Sequence, residues 1–336
     1  MKDLVIPNDY EPSLGLYETQ MAIKLIKDSF QKNLSNELNL RRVTAPLFVD
    51  PKSGLNDNLN GVERPVSFDI KDEPNITGEV VQSLAKWKRY ALGKYHFAVH
   101  EGLYTDMNAI RRDEDLDNIH SLYVDQWDWE KVILRSDRNK AYLEETVRLI
   151  YAAIRQSERD LQAKYPLLKP LLPEEITFID SEDLLKRYPT KNPKEREYAL
   201  VKECGAAFIE RIGERLSNGE PHDLRAPDYD DWSLNGDIIV YYPLLDIALE
   251  LSSMGIRVDA IALKKQLQEK QLMSRSSLPF QKAILHDELP FTIGGGIGQS
   301  RLCMFYLKKA HIGEVQCSLW PKAMQKECEA HQIPLL

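Results

Sequence analysis

Between Ile110 and Glu130 the chain places two adjacent arginines, Arg111 and Arg112, at the entry to an acidic turn, Asp113-Glu114-Asp115. It then returns through Ser121-Leu-Tyr-Val-Asp-Gln-Trp-Asp-Trp-Glu130. Side chains alternate faces along a strand, so Gln126, Asp128 and Glu130 share one face and Tyr123, Asp125, Trp127 and Trp129 the other. Tryptophans interleaved with acids do not describe a merely solvated edge. A second feature is Gly294-Gly-Gly-Ile-Gly298-Gln-Ser-Arg301. Glycines let a backbone approach a ligand closely, and a helix N-terminus favours anions. No Gly-Lys-Ser/Thr follows, which excludes a P-loop, and Gln299 stands where a dinucleotide fingerprint needs its third glycine. A third feature is a pair of acids, Asp237 and Glu250, flanking Pro243-Leu244. A hairpin turning there sets them opposite each other, and facing like charges need compensation, for which oxygen-seeking Mg²⁺ is suited. A fourth is Gln82-Ser83-Leu-Ala-Lys86-Trp-Lys88-Arg89, readable as a solvated helix start or as a ligand loop.

The elements that must carry these groups follow from periodicity. Met21, Ile23, Leu25, Ile26, Phe30, Leu34 and Leu38 predict a helix over 17–38. A strand follows over 41–46, ended by Pro46, which cannot donate to a ladder. Strands are expected at 66–70, 78–82, 109–111, 121–132, 176–179, 236–242, 247–258 and 291–295. Helices are expected at 140–164, near 182–187, at 194–203 and from Gly298 onward. Strands that follow one another without regular intervening helices predict a mainly antiparallel sheet. The chain has 336 residues, 43% hydrophobic and 29% charged, with net charge −8. That supports one large domain, and the acidic balance argues against an extended nucleic-acid footprint. The cysteines Cys204, Cys303, Cys317 and Cys328 lack metal or framework spacing, so reduced thiols are expected. No apolar leader follows Met1-Lys2-Asp3 and no run approaches membrane-spanning length, which predicts a cytoplasmic protein.

The 110–130 hairpin resembles motif 2 of class II aminoacyl-tRNA synthetases, especially the aspartyl enzymes, whose arginine grips the ATP α-phosphate. The glycine-rich strand, with Arg301 in the first turn of the next helix, resembles motif 3. There the arginine lies against the adenine and reaches toward the terminal phosphates. The first helix and strand, closed by Pro46, resemble motif 1, which builds the dimer interface in that superfamily. Gln82, Ser83 and Lys88 match an aspartyl-type loop that contacts the amino acid. Asp237, Glu250 and Arg257 match positions where acids hold Mg²⁺–ATP and an arginine binds a substrate carboxylate. Little chain stands ahead of the motif 1 helix, so the anticodon-binding barrel of a tRNA-charging enzyme is not expected. Five runs (83–89, 102–107, 123–130, 225–232 and 251–259) are similar to the ammonia-dependent aspartate–ammonia ligases, the A-type asparagine synthetases. The likeness covers essentially the whole chain.

The resemblance implies an α+β fold with a class II synthetase-like, mainly antiparallel sheet flanked by helices, in a single domain over 1–336 with an extended arm over 1–14. It implies ATP-dependent amidation of L-aspartate by ammonia, through a β-aspartyl-adenylate, to asparagine, AMP and pyrophosphate. ATP is then a substrate, Mg²⁺ its metal, a homodimer the assembly, and neither tRNA nor membrane a partner. Lys2 stands where a glutaminase-type enzyme exposes its cysteine, so the implied nitrogen donor is free ammonia. Asp57, in Asn56-Asp57-Asn58-Leu59-Asn60-Gly61, would accept hydrogen bonds from the attacking ammonia and deprotonate it. Gln126 would orient the β-carbonyl and Asp128 pair with the substrate α-ammonium. Arg257 and Lys88 would hold the α-carboxylate, with Gln82, Ser83, Asp230 and Ser252 completing the amino-acid site. Arg111 or Arg112, with Gly294, Gly296, Gly298 and Arg301, would bind ATP, and Asp237 and Glu250 the metal. No histidine is assigned a catalytic role. The family pattern also predicts a longer polar loop between Trp232 and Leu234, where only Ser233 stands. The competing readings are a truncated aspartyl- or asparaginyl-tRNA synthetase paralogue and a synthetase-like regulatory subunit with a dead site.

Overall fold

A computed structural model describes residues 4–57, 59 and 63–336; the first three residues of the expected arm, and Asn58, Asn60 and Gly61 of the 56–61 run, lie outside them. The strands are β1 (Leu40–Arg42), β2 (Phe48–Val49), β3 (Ser67–Asp69), β4 (Thr77–Val80), β5 (Gly102–Ile110), β6 (Tyr123–Val132), β7 (Thr177–Asp180), β8 (Ala206–Glu210), β9 (Asp230–Tyr242), β10 (Ile247–Arg257) and β11 (Thr292–Gly298). The α-helices are α1 (Leu16–Leu38), α2 (Ala85–Lys94), α3 (Lys140–Lys164), α4 (Ser181–Arg187), α5 (Pro193–Cys204), α6 (Ala260–Glu269), α7 (Pro279–Leu285), α8 (Gln299–Leu307) and α9 (Lys322–Ala330). Eight strands form one sheet in the order β1-β5-β6-β11-β10-β9-β8-β7, and β2, β4 and β3 form a small second one. The large sheet is antiparallel through its middle and parallel only at its edge pairs, β1 with β5 and β7 with β8. The fold is therefore α+β with a mainly antiparallel sheet, as the strand spacing predicted.

One sheet face is closed by α1 and α3. Ala22, Ile26, Phe30, Leu34 and Leu38 recur every fourth residue along α1 and are buried. On α3, Leu143, Val147, Ile150, Ile154 and Leu161 follow an alternating four- and three-residue spacing and are buried, and the Asn139 side chain caps the helix by accepting from Tyr142 N at 3.0 Å. These rows meet Trp127 and Trp129 of β6 in the main core, with the Phe30 and Trp127 rings 4.5 Å apart. The tryptophan face of the hairpin is thus the core face, leaving Gln126, Asp128 and Glu130 on the other. On that second side α2 packs through Trp87, Ala91 and Leu92 against Leu103, Met107 and Ala109 of β5. The arm is tied down through Asn118, whose side chain bonds both Val5 N (2.7 Å) and Val5 O (2.8 Å).

Several expectations are corrected. The strand expected at 109–111 begins at Gly102, and the one expected at 236–242 begins at Asp230. β1 stops at Arg42, short of Pro46. Strand β8 and helices α6, α7 and α9 were not anticipated. β9 runs unbroken through Trp232–Leu234, so no loop interrupts the chain there. Asp237 and Glu250 are not directly opposite: the hairpin turns one residue later than Pro243-Leu244, so Glu250 pairs with Ile239, and a bulge between Glu250 and Ser252 moves the partner of Asp237 one residue further, to Ser253.

Candidate active site

The polar face of β6 and the glycines of β11 are complementary. The register pairs Gly294 with Glu130, Gly296 with Asp128 and Gly298 with Gln126. A Cβ on Gly294 would collide with Glu130 Oε2 and meet Arg257 Nη2 at 2.7 Å; one on Gly296 would collide with Gln126 Oε1 and lie 2.9 Å from Asp128 Oδ1. The glycines leave the volume that the neighbouring strand's polar row occupies. Gly294 consequently lies beneath the Glu130–Arg257 pair and off the cavity wall, in correction of its expected nucleotide contact. Gly295, Gly296 and Gly298 do line the cavity.

That cavity encloses about 540 Å³ above the centre of the sheet. At one end stand Arg257, Asp230 and Lys88; at the other stand Arg111, Arg112 and Arg301; Gln126 and Asp128 form part of the floor, Ser252 lies level with Trp127 between them, and Asp57, Gln82 and Ser83 also line the cavity. Arg257 is buried and donates through Nε (2.9 Å) and Nη2 (2.7 Å) to Glu130 and through Nη1 to Asp230. Burial opposes its charge, but Glu130 and then Asp230 more than offset this and raise it above the usual arginine value. Lys88 Nζ is 2.9 Å from Asp128 Oδ2 and donates to Gly295 O at 2.7 Å. Burial pushes its ammonium down, against the pull of Asp128. Arg257 and Lys88 are therefore already countered by protein acids, whereas Asp128 Oδ1 and Ser252 Oγ are buried without a hydrogen-bond partner. Such groups are costly unless something else satisfies them.

At the other end, Arg111 is half-buried with its Nε unpartnered, while Arg112 is exposed; both line the cavity. Arg301, in the first turn of α8, donates through Nη1 to Glu250 O (3.1 Å) and through Nε to Ile119 O (3.4 Å). Asp57 is held from two sides, accepting from Ser83 Oγ and from Leu59 N, each at 2.9 Å. Gln82 Nε2 donates to Asp57 O at 3.0 Å, so Gln82 and Ser83 both spend a polar contact on fixing Asp57. Lys86, Lys88 and Arg89 are all buried, which overturns the solvated reading of that helix start.

The acid pair is compensated partly by the protein itself. Glu250 lines the cavity, whereas Asp237 lies behind its wall, with Oδ2 accepting from Arg225 Nη2 and Oδ1 unpartnered. Burial works against the Glu250 carboxylate, but Arg301, Arg225 and Lys194 outweigh it and hold it below its usual range. Burial and the nearby Glu250 push Asp237 up to about 7, against Arg225. Sequence reasoning assigned no role to Arg225, although two facing acids demand a cation and it opens one of the five distinctive runs. It also missed Glu130, which accepts from Arg257 and from Thr292 Oγ1 (2.7 Å), and Asp125, which anchors the α8 start through Ser300 N (3.0 Å). His120 lines the cavity, 2.8 Å from Asp117 through Nδ1. Among the described residues no group of three or more His, Cys, Asp or Glu side chains could by itself hold a metal, and no helix is long and apolar enough to cross a membrane.

Known proteins place this geometry. Chains of solved structures share the fold: asparaginyl-tRNA synthetase from Pyrococcus horikoshii, complexed with asparaginyl-adenylate, aligns with TM-score 0.64 at 14% identity, covering 90% of this chain and 70% of that one. The Entamoeba histolytica asparaginyl-tRNA synthetase in complex with asparaginyl-adenylate aligns at TM-score 0.62 and 14% identity, covering 90% and 66%. At that identity the likeness concerns fold alone. Sequence relatives are far nearer. An aspartate–ammonia ligase of Clostridium perfringens is 59% identical over 336 residues, covering 100% of each chain, and one of Ruminiclostridium cellulolyticum is 57% identical over the same span. One of Limosilactobacillus reuteri is 56% identical over 335 residues, 99% of this chain and 100% of the relative. The family model for aspartate–ammonia ligase matches residues 17–332, and the chain belongs to that family.

Proposed function

We propose that this protein joins L-aspartate to ammonia using ATP, giving L-asparagine, AMP and pyrophosphate through a β-aspartyl-adenylate. The observation that carries the reading is the convergence of Arg111 and Arg301 with Asp57, Gln126 and Asp128 on one cavity. In the first step a side-chain carboxylate oxygen of aspartate attacks the ATP α-phosphorus and pyrophosphate leaves. Arg111, with its unpartnered Nε, meets charge on the α-phosphate, and Arg301 meets the nucleotide from the α8 end. The backbone of Gly296 and Gly298 lies along the reacting groups. Asp128 Oδ1 accepts from the substrate ammonium and Ser252 Oγ bonds the amino acid. The α-carboxylate lies at the Arg257–Lys88 end, beside Asp230. In the second step ammonia attacks the activated carbonyl, which Gln126 orients; Asp57 takes the proton that the new C–N bond releases, and AMP leaves.

Mg²⁺ takes oxygen ligands and commonly binds through one or two carboxylates plus substrate phosphates. Glu250 on the wall and the unpartnered Asp237 Oδ1 behind it fit that habit, and these two residues would hold it. There it would neutralise polyphosphate charge. A single domain over 1–336, a homodimer along α1 and a cytoplasmic location complete the reading. Leu16, Tyr17 and Met21 are exposed on α1, and the four cysteines are free thiols that suit a reducing compartment.

Incubating the purified protein with aspartate, Mg²⁺–ATP and ammonium, with and without tRNA, tests this. Asparagine and AMP should accumulate equally in both. Formation of ADP, no response to ammonium, or a requirement for tRNA would reject the reading.

A further inference from the structure

Lys86 sits in the first turn of α2, buried, yet it does not line the cavity. Its ammonium donates to Asp228 Oδ2 and to Asn56 O, each at 2.9 Å. Asp228 is fully buried, and its Oδ2 also accepts from Gln281 Nε2 of α7 at 2.7 Å. A charge pair in such a place stabilises a fold no better than apolar groups of the same volume commonly do. What it does supply is a fixed point: one cation tied at once to two other segments of the chain, and through Asp228 to a third. The carbonyl it holds belongs to the peptide that leads directly into Asp57. The Asn56 side chain is fixed as well, its Oδ1 accepting from Gln82 N (2.9 Å) and Asp57 N (3.0 Å). With Ser83 and Leu59 on the carboxylate itself, the turn bearing Asp57 is held by backbone and side chain alike.

We infer that Lys86 and Asp228, steadied by Gln281, are positioning residues for the ammonia step: they hold the Asn56–Asp57 peptide so that the Asp57 carboxylate meets the incoming nitrogen. This rests on the role proposed above for Asp57. Because the pair touches neither the phosphate end nor the aspartate end, its loss should spare adenylation and impair amide formation.

The test is the Lys86→Met/Asp228→Asn double variant, which removes both charges of the pair, keeps an acceptor for Gln281 and leaves Arg275, whose Nη1 lies 3.6 Å from Asp228 Oδ2, facing a neutral amide. Aspartate-dependent ATP–pyrophosphate exchange reads adenylation, and the ammonium dependence of asparagine formation reads the second step. Exchange should stay within about threefold of the parent, while KM for ammonium rises about tenfold or more. Adding Asp57→Asn should then cost less than about threefold further, since both changes act through one group. If Asp57→Asn alone impairs amide formation while the double variant keeps its ammonium KM, the inference fails and the assignment of Asp57 stands. Equal loss of exchange and amide formation in the double variant also overturns the inference. If Asp57→Asn leaves the ammonium dependence unchanged, the Asp57 role fails and the inference falls with it. Should the double variant not fold, Gln281→Met decides: an ammonium KM raised about threefold at constant exchange supports the inference, and an unchanged KM overturns it.

Discussion

Two neighbouring glycines on β11 should respond to the same substitution in opposite ways. Gly296 faces the cavity, where an added methyl would strike Gln126 Oε1 and come within 2.9 Å of Asp128 Oδ1. Both obstacles are the outer ends of side chains and can swing away, so the fold should tolerate Gly296→Ala. The groups displaced are, however, those proposed to bond the reacting carbonyl and the substrate ammonium. A hydrogen bond to a charged group contributes roughly 1.5–3 kcal/mol. Partial loss at both positions amounts to roughly 2–4 kcal/mol, a fall of about 30-fold to 1,000-fold in kcat/KM for aspartate. Gly295 points the other way. Its methyl would lie 2.6 Å from Met254 Cβ and 2.7 Å from Ser253 O, and main chain cannot swing aside. Overpacking of that kind costs about 1–3 kcal/mol or more, so Gly295→Ala should lower Tm while any folded enzyme keeps most of its aspartate affinity. Thermal unfolding and steady-state asparagine formation on the two variants decide the matter. A Gly296→Ala enzyme with parental kcat/KM, or a Gly295→Ala protein with parental Tm, would refute the reasoning.

Ser252→Ala removes a buried hydroxyl that has no partner in the fold. Tm should hold or rise slightly, while KM for aspartate increases about threefold to tenfold, the worth of one hydrogen bond. Arg301→Ala should cut ATP–pyrophosphate exchange about a hundredfold or more with circular dichroism unchanged; parental exchange would remove Arg301 from the nucleotide end. Burial pushes His311 down to about 4, from an ordinary value of about 6.5. Its stabilising contribution is then whole above about pH 6.5, drains as pH falls from there to about 4, and amounts to roughly 3 kcal/mol. Denaturant midpoints measured across that window should fall less steeply for His311→Asn, whose side-chain oxygen can still accept from Gly313 N as His311 Nδ1 does at 3.0 Å; an identical slope would contradict the assignment.

Much of this arrangement was legible in sequence because it rests on short-range periodicity. The alternation of β6 separated Trp127 and Trp129 from Gln126 and Asp128 correctly, and the apolar spacing of 140–164 gave α3 with its observed ends. Tertiary context decided what was missed. Gly102–Asn108 carries a glycine, an aspartate and an asparagine, yet pairing with β6 on one side and β1 on the other makes it strand. The offset between Asp237 and Glu250 arises from a turn one residue later than Pro243-Leu244 and from a one-residue bulge, neither of which leaves a mark in composition. Gly294 was expected at a ligand because glycines permit close approach, but what approaches it is Glu130 with Arg257. The buried state of Lys86, Lys88 and Arg89 depends on Asp228, Asp128 and carbonyls more than one hundred residues away for Asp228 and for most of those carbonyls, partners that local spacing cannot reveal.

On the proposed reading, the order of groups along β6 decides which of aspartate's two carboxylates is activated. Alternate residues of a strand stand about 7 Å apart, so Glu130, Asp128 and Gln126 mark three successive stations. The first is joined to Arg257, the second to Lys88, and the third faces Gly298, one residue before the helix that carries Arg301. Arg111 lies further along the same direction, its N bonded to Leu122 O at 2.8 Å. On the proposed reading the α-carboxylate and ammonium occupy the first two stations, and only the side-chain carboxylate reaches the third, where the arginines wait. An amino acid lacking the side-chain carboxylate should then bind the first two stations and leave the third empty. L-Alanine should compete weakly with aspartate and support no ATP–pyrophosphate exchange, whereas succinate, which lacks the ammonium, should support exchange at much reduced affinity. Exchange driven by L-alanine would mean that the α-carboxylate faces the nucleotide, and the proposed orientation along β6 would have to be reversed.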